Sequence, residues 1–92
     1  MSEPRVWRVE FAPDAARDLR KLDHEARRVI LKYLRERIAT AENPRRFGHA
    51  LTGDLKGLWR YRVGDYRIVA DIRDQEILVM VVTVGHRRDV YG

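Results

Sequence analysis

The stretch LWRYRVGDYRIVADI, residues 58–72, decides the fold predicted for this chain of 92 residues. Two runs rich in β-branched and aromatic residues flank Gly64-Asp65, which is typical of a two-residue type II′ hairpin with glycine at its first central position. A two-residue loop fixes the register, so Val63 faces Tyr66 and Arg62 faces Arg67. Because cross-strand partners share a face, the apolar residues of the hairpin form one face of the sheet.

The opposite face of this hairpin is predicted to carry Arg60, Arg62 and Arg67 together. Like charges placed directly opposite each other destabilise a sheet pair, and the carboxylate of Asp71 lies farther along this face. An anion that comes from outside the chain would compensate the three guanidinium groups. The alternative is a solvated sheet face whose arginines extend into water.

A last strand, Ile77 to Val84, is predicted to pair with the second strand of this hairpin through a turn at Asp74-Gln75. If this turn also has a two-residue loop, Val82 lies beside Arg67. The end of the strand would then bring His86, Arg87 and Tyr91 to the face of the three arginines.

The rest of the chain predicts one strand and two helices before the hairpin. Residues 6–11 alternate as in a half-buried strand, and Pro13-Asp14 opens a helix. Asp23 is a plausible N-cap for a longer helix whose apolar stripe runs from Ala26 through Val29 to Ala41, and Asn43-Pro44 ends it. Residues 45–57 are predicted as a loop. The order strand, helix, helix and three-stranded antiparallel meander predicts an α+β single domain over residues 1–92, with the meander packed on the helices.

The composition narrows the function classes. Hydrophobic residues make up 45% and charged residues 36%, as in one globular domain. The chain has no cysteine, which excludes disulfides, thiolate nucleophiles and Cys-ligated metals. No apolar run has the roughly 18 residues of a membrane span, and the N-terminus lacks the apolar region of a signal peptide. We therefore expect a cytoplasmic protein with no membrane partner.

The net charge is +5, and 16 of the 19 basic residues are arginines. Such a balance predicts a polyanionic partner, either nucleic acid or an acidic protein, although high genomic GC content also favours arginine over lysine. The excess is densest in residues 45–67, which carry six basic and two acidic groups.

The motifs of the chain resemble those of the RelE/ParE superfamily of bacterial toxins, and most closely RelE-type mRNA interferases. The resemblance rests on the Phe-x-x-x-Ala-x-x-Asp-Leu-x-Lys-Leu start over residues 11–22, on Leu51-x-Gly53, and on residues 59–69 and 84–91. It implies a RelE-like α+β fold. It also implies a type II toxin that cleaves mRNA in the ribosomal A site by metal-independent attack of the 2′-hydroxyl group, with no cofactor.

The resemblance also implies roles for individual residues. Arg60 and Arg62 occupy two basic positions that are usually lysine in the best-known members, and Arg67 matches the phosphate-binding arginine. Arg87 matches the arginine after the last strand, and Tyr91 the C-terminal tyrosine proposed as a base. Arginine scarcely exchanges a proton near neutral pH, so His86 is an alternative proton carrier. The further basic residues expected to contact RNA phosphates are Arg45, Arg46, Lys56 and Arg88.

The implied partners are a RelB-like antitoxin, the ribosome with its mRNA, and operator DNA for the toxin–antitoxin complex. We expect the antitoxin to cover the basic sheet face or the exposed side of the two helices with an acidic or amphipathic helix. Two alternatives stay open: a ParE-like inhibitor of DNA gyrase without RNase activity, and a degenerate toxin that only binds its antitoxin and DNA. His24 and His49, in a helix start and a loop, receive no role.

Overall fold

A computed structural model describes residues 5–86 of the chain as a five-stranded sheet with two helices. The strands are β1 (Arg8–Phe11), β2 (His49–Ala50), β3 (Trp59–Val63), β4 (Tyr66–Arg73) and β5 (Leu78–His86); the helices are α1 (Pro13–Lys21) and α2 (His24–Tyr33). The order across the sheet is β1-β5-β4-β3-β2, with β1 parallel to β5 and the other pairs antiparallel. The predicted α+β fold is confirmed, and the sheet gains one strand.

The first helix begins where the sequence predicts it. Pro13 occupies the first turn of α1, where its missing N–H costs nothing and its fixed φ suits a helix. Ala15 and Leu19 of α1 are buried against the sheet. The α1 helix lies on β5, where the Asp18 carboxylate accepts a hydrogen bond from the Val84 backbone N–H at 3.0 Å.

The second helix begins as predicted but ends earlier. The Asp23 side chain accepts a hydrogen bond from the Ala26 N–H at 2.8 Å, which confirms the N-cap. After Tyr33 the chain widens into a π-helical turn, Leu34–Ile38, rather than continuing to Asn43-Pro44. In an α-helix, side chains four residues apart point in directions that differ by about 40° around the helix axis. The wider π-helical turn reduces this difference, so Ile38 stays on the side of the helix that faces the core, where it is completely buried.

The predicted apolar stripe of α2 is wrong at two positions. Val29 is 41% exposed. Ala41 lies beyond the π-helical turn and is exposed. Asn43-Pro44 instead begins a 3₁₀ turn, Pro44–Phe47. The Asn43 side chain accepts a hydrogen bond from the Arg45 N–H at 2.9 Å at the start of this turn.

The register of the β3–β4 hairpin is confirmed at every predicted pair. Val63 lies opposite Tyr66, Arg62 opposite Arg67 and, at the far end, Trp59 opposite Ala70. Gly64 has a positive φ of 58°, whereas the φ of Asp65 is not positive. A positive φ at the first central position alone matches the type II′ turn.

The register between β4 and β5 differs from the prediction. The loop has four residues, 74–77, with Ile77 in the left-handed region at φ of 50°, and a bulge follows between Val69 and Ala70. The longer loop shifts the register by two residues. The bulge adds one more, so the shift beyond the bulge is three residues. Gly85, rather than Val82, therefore lies opposite Arg67.

The predicted loop over residues 45–57 contains the short strand β2, which pairs with β3. Gly48, just before β2, lies against aromatic rings: a Cβ atom there would be 3.2 Å from the ring of Tyr61 and 3.3 Å from that of Trp59. The hydroxyl group of Tyr61 donates a hydrogen bond to the Pro44 carbonyl at 2.7 Å. Burial raises the pKa of Tyr61, so this donor stays protonated. These contacts hold β2 against the edge of the sheet.

The hydrophobic core lies between the two helices and one face of the sheet. Its fully buried members include Ile30 and Ile38 from the second helical segment and Tyr61, Ile68 and Val81 from the sheet. Trp7, Val9 and Phe11 pack against this core from the N-terminal side, as their alternation predicts. Within residues 5–86, none of the helices has the length and apolar character needed to cross a membrane.

Candidate functional site

Three arginines lie together on the sheet face that points away from the helices, and we call this group the arginine face: Arg60, Arg62 and Arg67. Their neighbours along the strands, Tyr61 and Ile68, are fully buried in the core on the other side. Since side chains alternate along a strand, the arginines point outward. Arg62 and Arg67 are direct cross-strand partners, as predicted.

Two of these guanidinium groups are partly buried without an acceptor. Nε of Arg60 and both Nε and Nη1 of Arg67 are shielded from solvent and have no hydrogen-bond partner among residues 5–86. A buried donor left unpaired costs about 1–3 kcal/mol, and more when it is charged. Such unpaired donors on two of three neighbouring cations are the kind of group that an anionic ligand satisfies.

The carboxylate on the same face does not neutralise the arginines. Asp71 pairs instead with Arg73, whose Nε lies 3.0 Å from Oδ2 of Asp71. Within the described part of the chain, none of the arginine-face residues forms an ion pair with a carboxylate. The positive charge of the face is therefore uncompensated.

The neighbours of Arg67 differ on its two sides. Arg62 lies on one side of it and Gly85, which has no side chain, on the other. Val69, the cross-strand partner of Arg60, is only 3% exposed and forms an apolar floor beside the arginines. A phosphate beside Arg67 would lie next to this shielded apolar side chain, where a low local dielectric strengthens hydrogen bonds to guanidinium groups.

His86 does not join the arginine face, which corrects the prediction. It is the cross-strand partner of Tyr66, and the two rings meet edge to face with centroids 6.0 Å apart. Tyr66 packs on the core, so His86 lies on the helix side of the sheet. The physical reason is the three-residue change of register beyond the bulge, because an odd shift moves the side chains of this part of β5, including His86, to the opposite face.

Three other candidates, Arg87, Arg88 and Tyr91, lie outside the described residues, so their placement stays a prediction.

Arg45 has a partner within the chain. Its two terminal nitrogens bind the carboxylate of Asp74 at 2.9 and 2.6 Å, and its guanidinium lies 5.6 Å from the ring centroid of Trp59. The hydrogen bond from Arg45 lowers the pKa of Asp74. Arg45 thus ties the start of the β2 segment to the β4–β5 turn, and its charge is compensated.

Arg46 is held in a similar way, and Lys56 is not. Arg46 lies 3.1 Å from the Glu42 carboxylate, donates a hydrogen bond to the Arg37 carbonyl at 3.1 Å, and stacks on the ring of Phe47 at 4.5 Å. Lys56 is exposed after the 3₁₀ turn Gly53–Leu55. Of these three basic residues, Lys56 is the one whose charge is uncompensated within residues 5–86.

The structure adds His49 to the arginine face. It is the cross-strand partner of Arg60 in the β2–β3 pair, so the two side chains share a face, and His49 is exposed. Periodicity could not reveal this placement, because β2 has only two residues. The nearest signal in the sequence is Gly48, whose lack of a Cβ allows the chain to approach Trp59 and Tyr61.

Comparison with known proteins identifies the family. A family model described as the ParE toxin of the type II toxin–antitoxin system parDE matches residues 9–91. The chain belongs to this family. It is 32% identical over 91 residues to Toxin RelE of Mycobacterium tuberculosis, covering 99% of the chain and 92% of that protein. It is 31% identical to Toxin RelG of the same organism, covering 92% of the chain and 95% of that protein.

Solved structures agree with these matches. The chain is 28% identical to a chain of the RelBE2 toxin–antitoxin complex of M. tuberculosis, with a TM-score of 0.83 over 97% of this chain and all of that one. It is 25% identical to the isolated RelE toxin of Escherichia coli, with a TM-score of 0.68 over 92% of this chain and 90% of that one. The chain is therefore a RelE-like type II toxin, and the predicted resemblance is confirmed.

Proposed function

We propose that this toxin is a ribosome-dependent endoribonuclease that cleaves mRNA in the A site and so inhibits translation. The observation that carries the proposal is the set of three shielded guanidinium nitrogens on Arg60 and Arg67 that lack an acceptor within residues 5–86. A phosphodiester of mRNA supplies the missing acceptors. The likeness to toxins named RelE supports the choice of RNA as the polyanion.

The proposed reaction is attack of the 2′-oxygen on the adjacent phosphorus, without a metal ion. The bond from the 2′-oxygen to phosphorus forms, the bond to the 5′-oxygen breaks, and the products carry a 2′,3′-cyclic phosphate and a 5′-hydroxyl. Negative charge increases on the non-bridging oxygens as phosphorus becomes five-coordinate. Arg60 and Arg67 lie in fixed positions on the sheet and would stabilise this charge without rearrangement.

Arg62 and Arg87 complete the proposed set of cations. Arg62 is exposed beside Arg67 and would bind a neighbouring phosphate of the mRNA. The family resemblance matches Arg87 to the arginine after the last strand, which would add a further cation to the site, and assigns Tyr91 the role of base for the 2′-hydroxyl proton. Nearby cations lower the pKa of a phenol, which is what this role requires of Tyr91.

The proposed protein partner is a RelB-like antitoxin, as in the M. tuberculosis and E. coli complexes that share this fold. Apolar side chains for such contacts are available on the helical side, where Val29 is 41% and Leu31 37% exposed. Co-purification with the product of the adjacent reading frame tests this partner, and recovery of the toxin alone would contradict it. Binding of operator DNA by the complex is a separate proposal.

The test of the enzyme is cleavage of mRNA on programmed ribosomes by the purified toxin. We expect the wild type to cut within the A site and Arg67→Ala to lose at least about 100-fold in rate, because electrostatic stabilisation of this kind contributes about that much per group. Arg28→Ala is the matched control: it also removes one positive charge, but Arg28 pairs with Glu25 on the surface of α2.

Inhibition of DNA gyrase is measured with the same protein preparations. Supercoiling inhibition without mRNA cleavage would overturn the proposal in favour of a ParE-like gyrase inhibitor. Equal cleavage by the wild type and Arg67→Ala would show that the arginine face is not the active site. Induction of the chain without growth arrest would indicate a degenerate toxin.

A further inference from the structure

The reaction proposed above requires two proton transfers, and the arginine face supplies few groups that can carry a proton. One proton leaves the 2′-hydroxyl and another must reach the 5′-oxygen as it departs. Arginine stays protonated at any physiological pH, so Arg60, Arg62 and Arg67 stabilise charge but do not exchange protons. His86, the histidine expected to act here, lies on the other side of the sheet next to Tyr66.

His49 lies where such a group is needed. It pairs with Arg60 in the antiparallel β2–β3 ladder, and direct partners have Cβ atoms about 4.5–5.5 Å apart on one face. Arg62 lies two residues along β3 from Arg60 and is therefore diagonal to His49. Both arginines are thus neighbours of His49 on the same face of the sheet. Histidine is the side chain type whose protonation most readily changes near neutral pH.

The other titratable residues of the same face do not meet this requirement. By register, the outward face also includes Glu10 on β1 and Asp71 on β4, which lie opposite Met80 of β5 from its two sides. Asp71 is paired with Arg73, and Glu10 lies on β1, at the edge of the sheet farthest from β2 and β3. Among residues 5–86, His49 is the titratable side chain, other than arginine, that lies directly opposite one of the three arginines.

We propose that His49 is the general acid of the cleavage reaction, an inference that rests on the proposed RNase function. Its imidazolium gives a proton to the 5′-oxygen as the bond from that oxygen to phosphorus breaks. The proton of the 2′-hydroxyl goes to the general base, the role that the family resemblance assigns to Tyr91. The imidazole then regains a proton from water and the base gives its proton to water, so both groups return to their starting states with no net proton consumed.

The position of β2 explains how this residue is held. Gly48 lies against the rings of Trp59 and Tyr61, and the Leu51 N–H donates to the Leu58 carbonyl at 3.0 Å. Contacts made by Gly48 before it and Leu51 after it thus hold His49 at the edge of the sheet, while its own side chain is exposed. Substitution of His49 is therefore expected to leave folding intact.

The experiment measures single-turnover cleavage at saturating toxin on ribosomes that carry one of two mRNAs. One is ordinary mRNA, and the other has sulfur in place of the 5′-oxygen at the cleaved bond. Thiolate leaves without a proton, so the second substrate needs no general acid. His49→Gln keeps the size of the side chain, and His24→Gln, at the start of α2, is the control histidine substitution.

We expect His49→Gln to cleave ordinary mRNA about 100-fold or more slowly than the wild type, the range for loss of a general acid. On the sulfur-containing mRNA its rate should approach that of the wild type. Added imidazole should restore cleavage of ordinary mRNA by His49→Ala but not by Arg67→Ala. His24→Gln should match the wild type on both substrates.

The outcomes separate this inference from the proposed function. If the wild type cleaves neither mRNA, the RNase function fails and the role of His49 fails with it. If the wild type cleaves and His49→Gln cleaves ordinary mRNA equally fast, only the role of His49 is overturned. A His49→Gln defect of the same size on both substrates would also overturn it, because a role in structure or binding does not depend on the leaving atom.

Discussion

Replacement of Arg67 by methionine should stabilise the free toxin while it abolishes cleavage. Methionine fills the space of the arginine stem but removes Nε and Nη1, both of which are shielded and lack an acceptor within residues 5–86. It also removes the like charge directly opposite Arg62. One unpaired buried donor costs about 1–3 kcal/mol; since Arg67 is only partly buried, we expect a gain of about 1–3 kcal/mol for both atoms together.

The control is Arg62→Met, because it removes the same cross-strand repulsion from the other strand. Arg62 is exposed, so its substitution relieves no desolvation. The difference between the two variants in free energy of unfolding therefore measures the unpaired nitrogens of Arg67. Both are compared with the wild type by urea denaturation in a buffer free of phosphate and sulfate, since an oxyanion would supply the missing acceptors.

For a domain of this size, 1 kcal/mol corresponds to about 4–8 °C in Tm, so the expected gain is easily measured. Added inorganic phosphate should raise the Tm of the wild type more than that of Arg67→Met, because only the wild type has the orphaned donors of Arg67. A variant that is less stable than both the wild type and Arg62→Met would refute the reasoning. It would mean that the guanidinium of Arg67 stabilises the fold and does not await a ligand.

Three further predictions concern the contacts that hold β2 and the β4–β5 turn. Gly48→Ala should lower the free energy of unfolding in urea by about 1–3 kcal/mol, because the new Cβ would meet aromatic rings at 3.2 and 3.3 Å; an unchanged midpoint would contradict the close approach. Tyr61→Phe should cost about 1 kcal/mol in the same assay, because the Pro44 carbonyl loses its hydrogen bond, and a neutral result would show that water replaces it. Asp74→Asn should weaken the pH dependence of stability. The hydrogen bond from Arg45 lowers the pKa of Asp74 in the folded state, so the stability that Asp74 contributes is present above its unfolded-state pKa and is lost as the pH falls through its folded-state pKa. Chemical denaturation at neutral and acidic pH tests this, and equal slopes for Asp74→Asn and the wild type would exclude the effect.

Sequence patterns predict the β3–β4 hairpin in full and the other elements less well, for physical reasons. The two-residue loop at Gly64-Asp65 leaves one register, so each pair from Trp59 to Val63 follows from the turn alone. The end of α2 does not follow from the sequence in this way: the widening at Leu34–Ile38 accompanies the complete burial of Ile38, a tertiary feature that helix propensity does not record. The short β2 strand depends on packing of Gly48 against two rings, which no local pattern records.

The difference between the two histidines shows why the cations of this site could be predicted and a proton donor could not. On a sheet, the face of a side chain depends on whether the register shift is even or odd. Arg62 and Arg67 are joined by one tight turn that cannot add a residue, so their common face is fixed locally. His86 is reached through a four-residue loop and a bulge, whose combined shift is odd, and it therefore lies on the helix side. The histidine on the face of the arginines is His49 instead, which belongs to the edge strand β2 and pairs with Arg60.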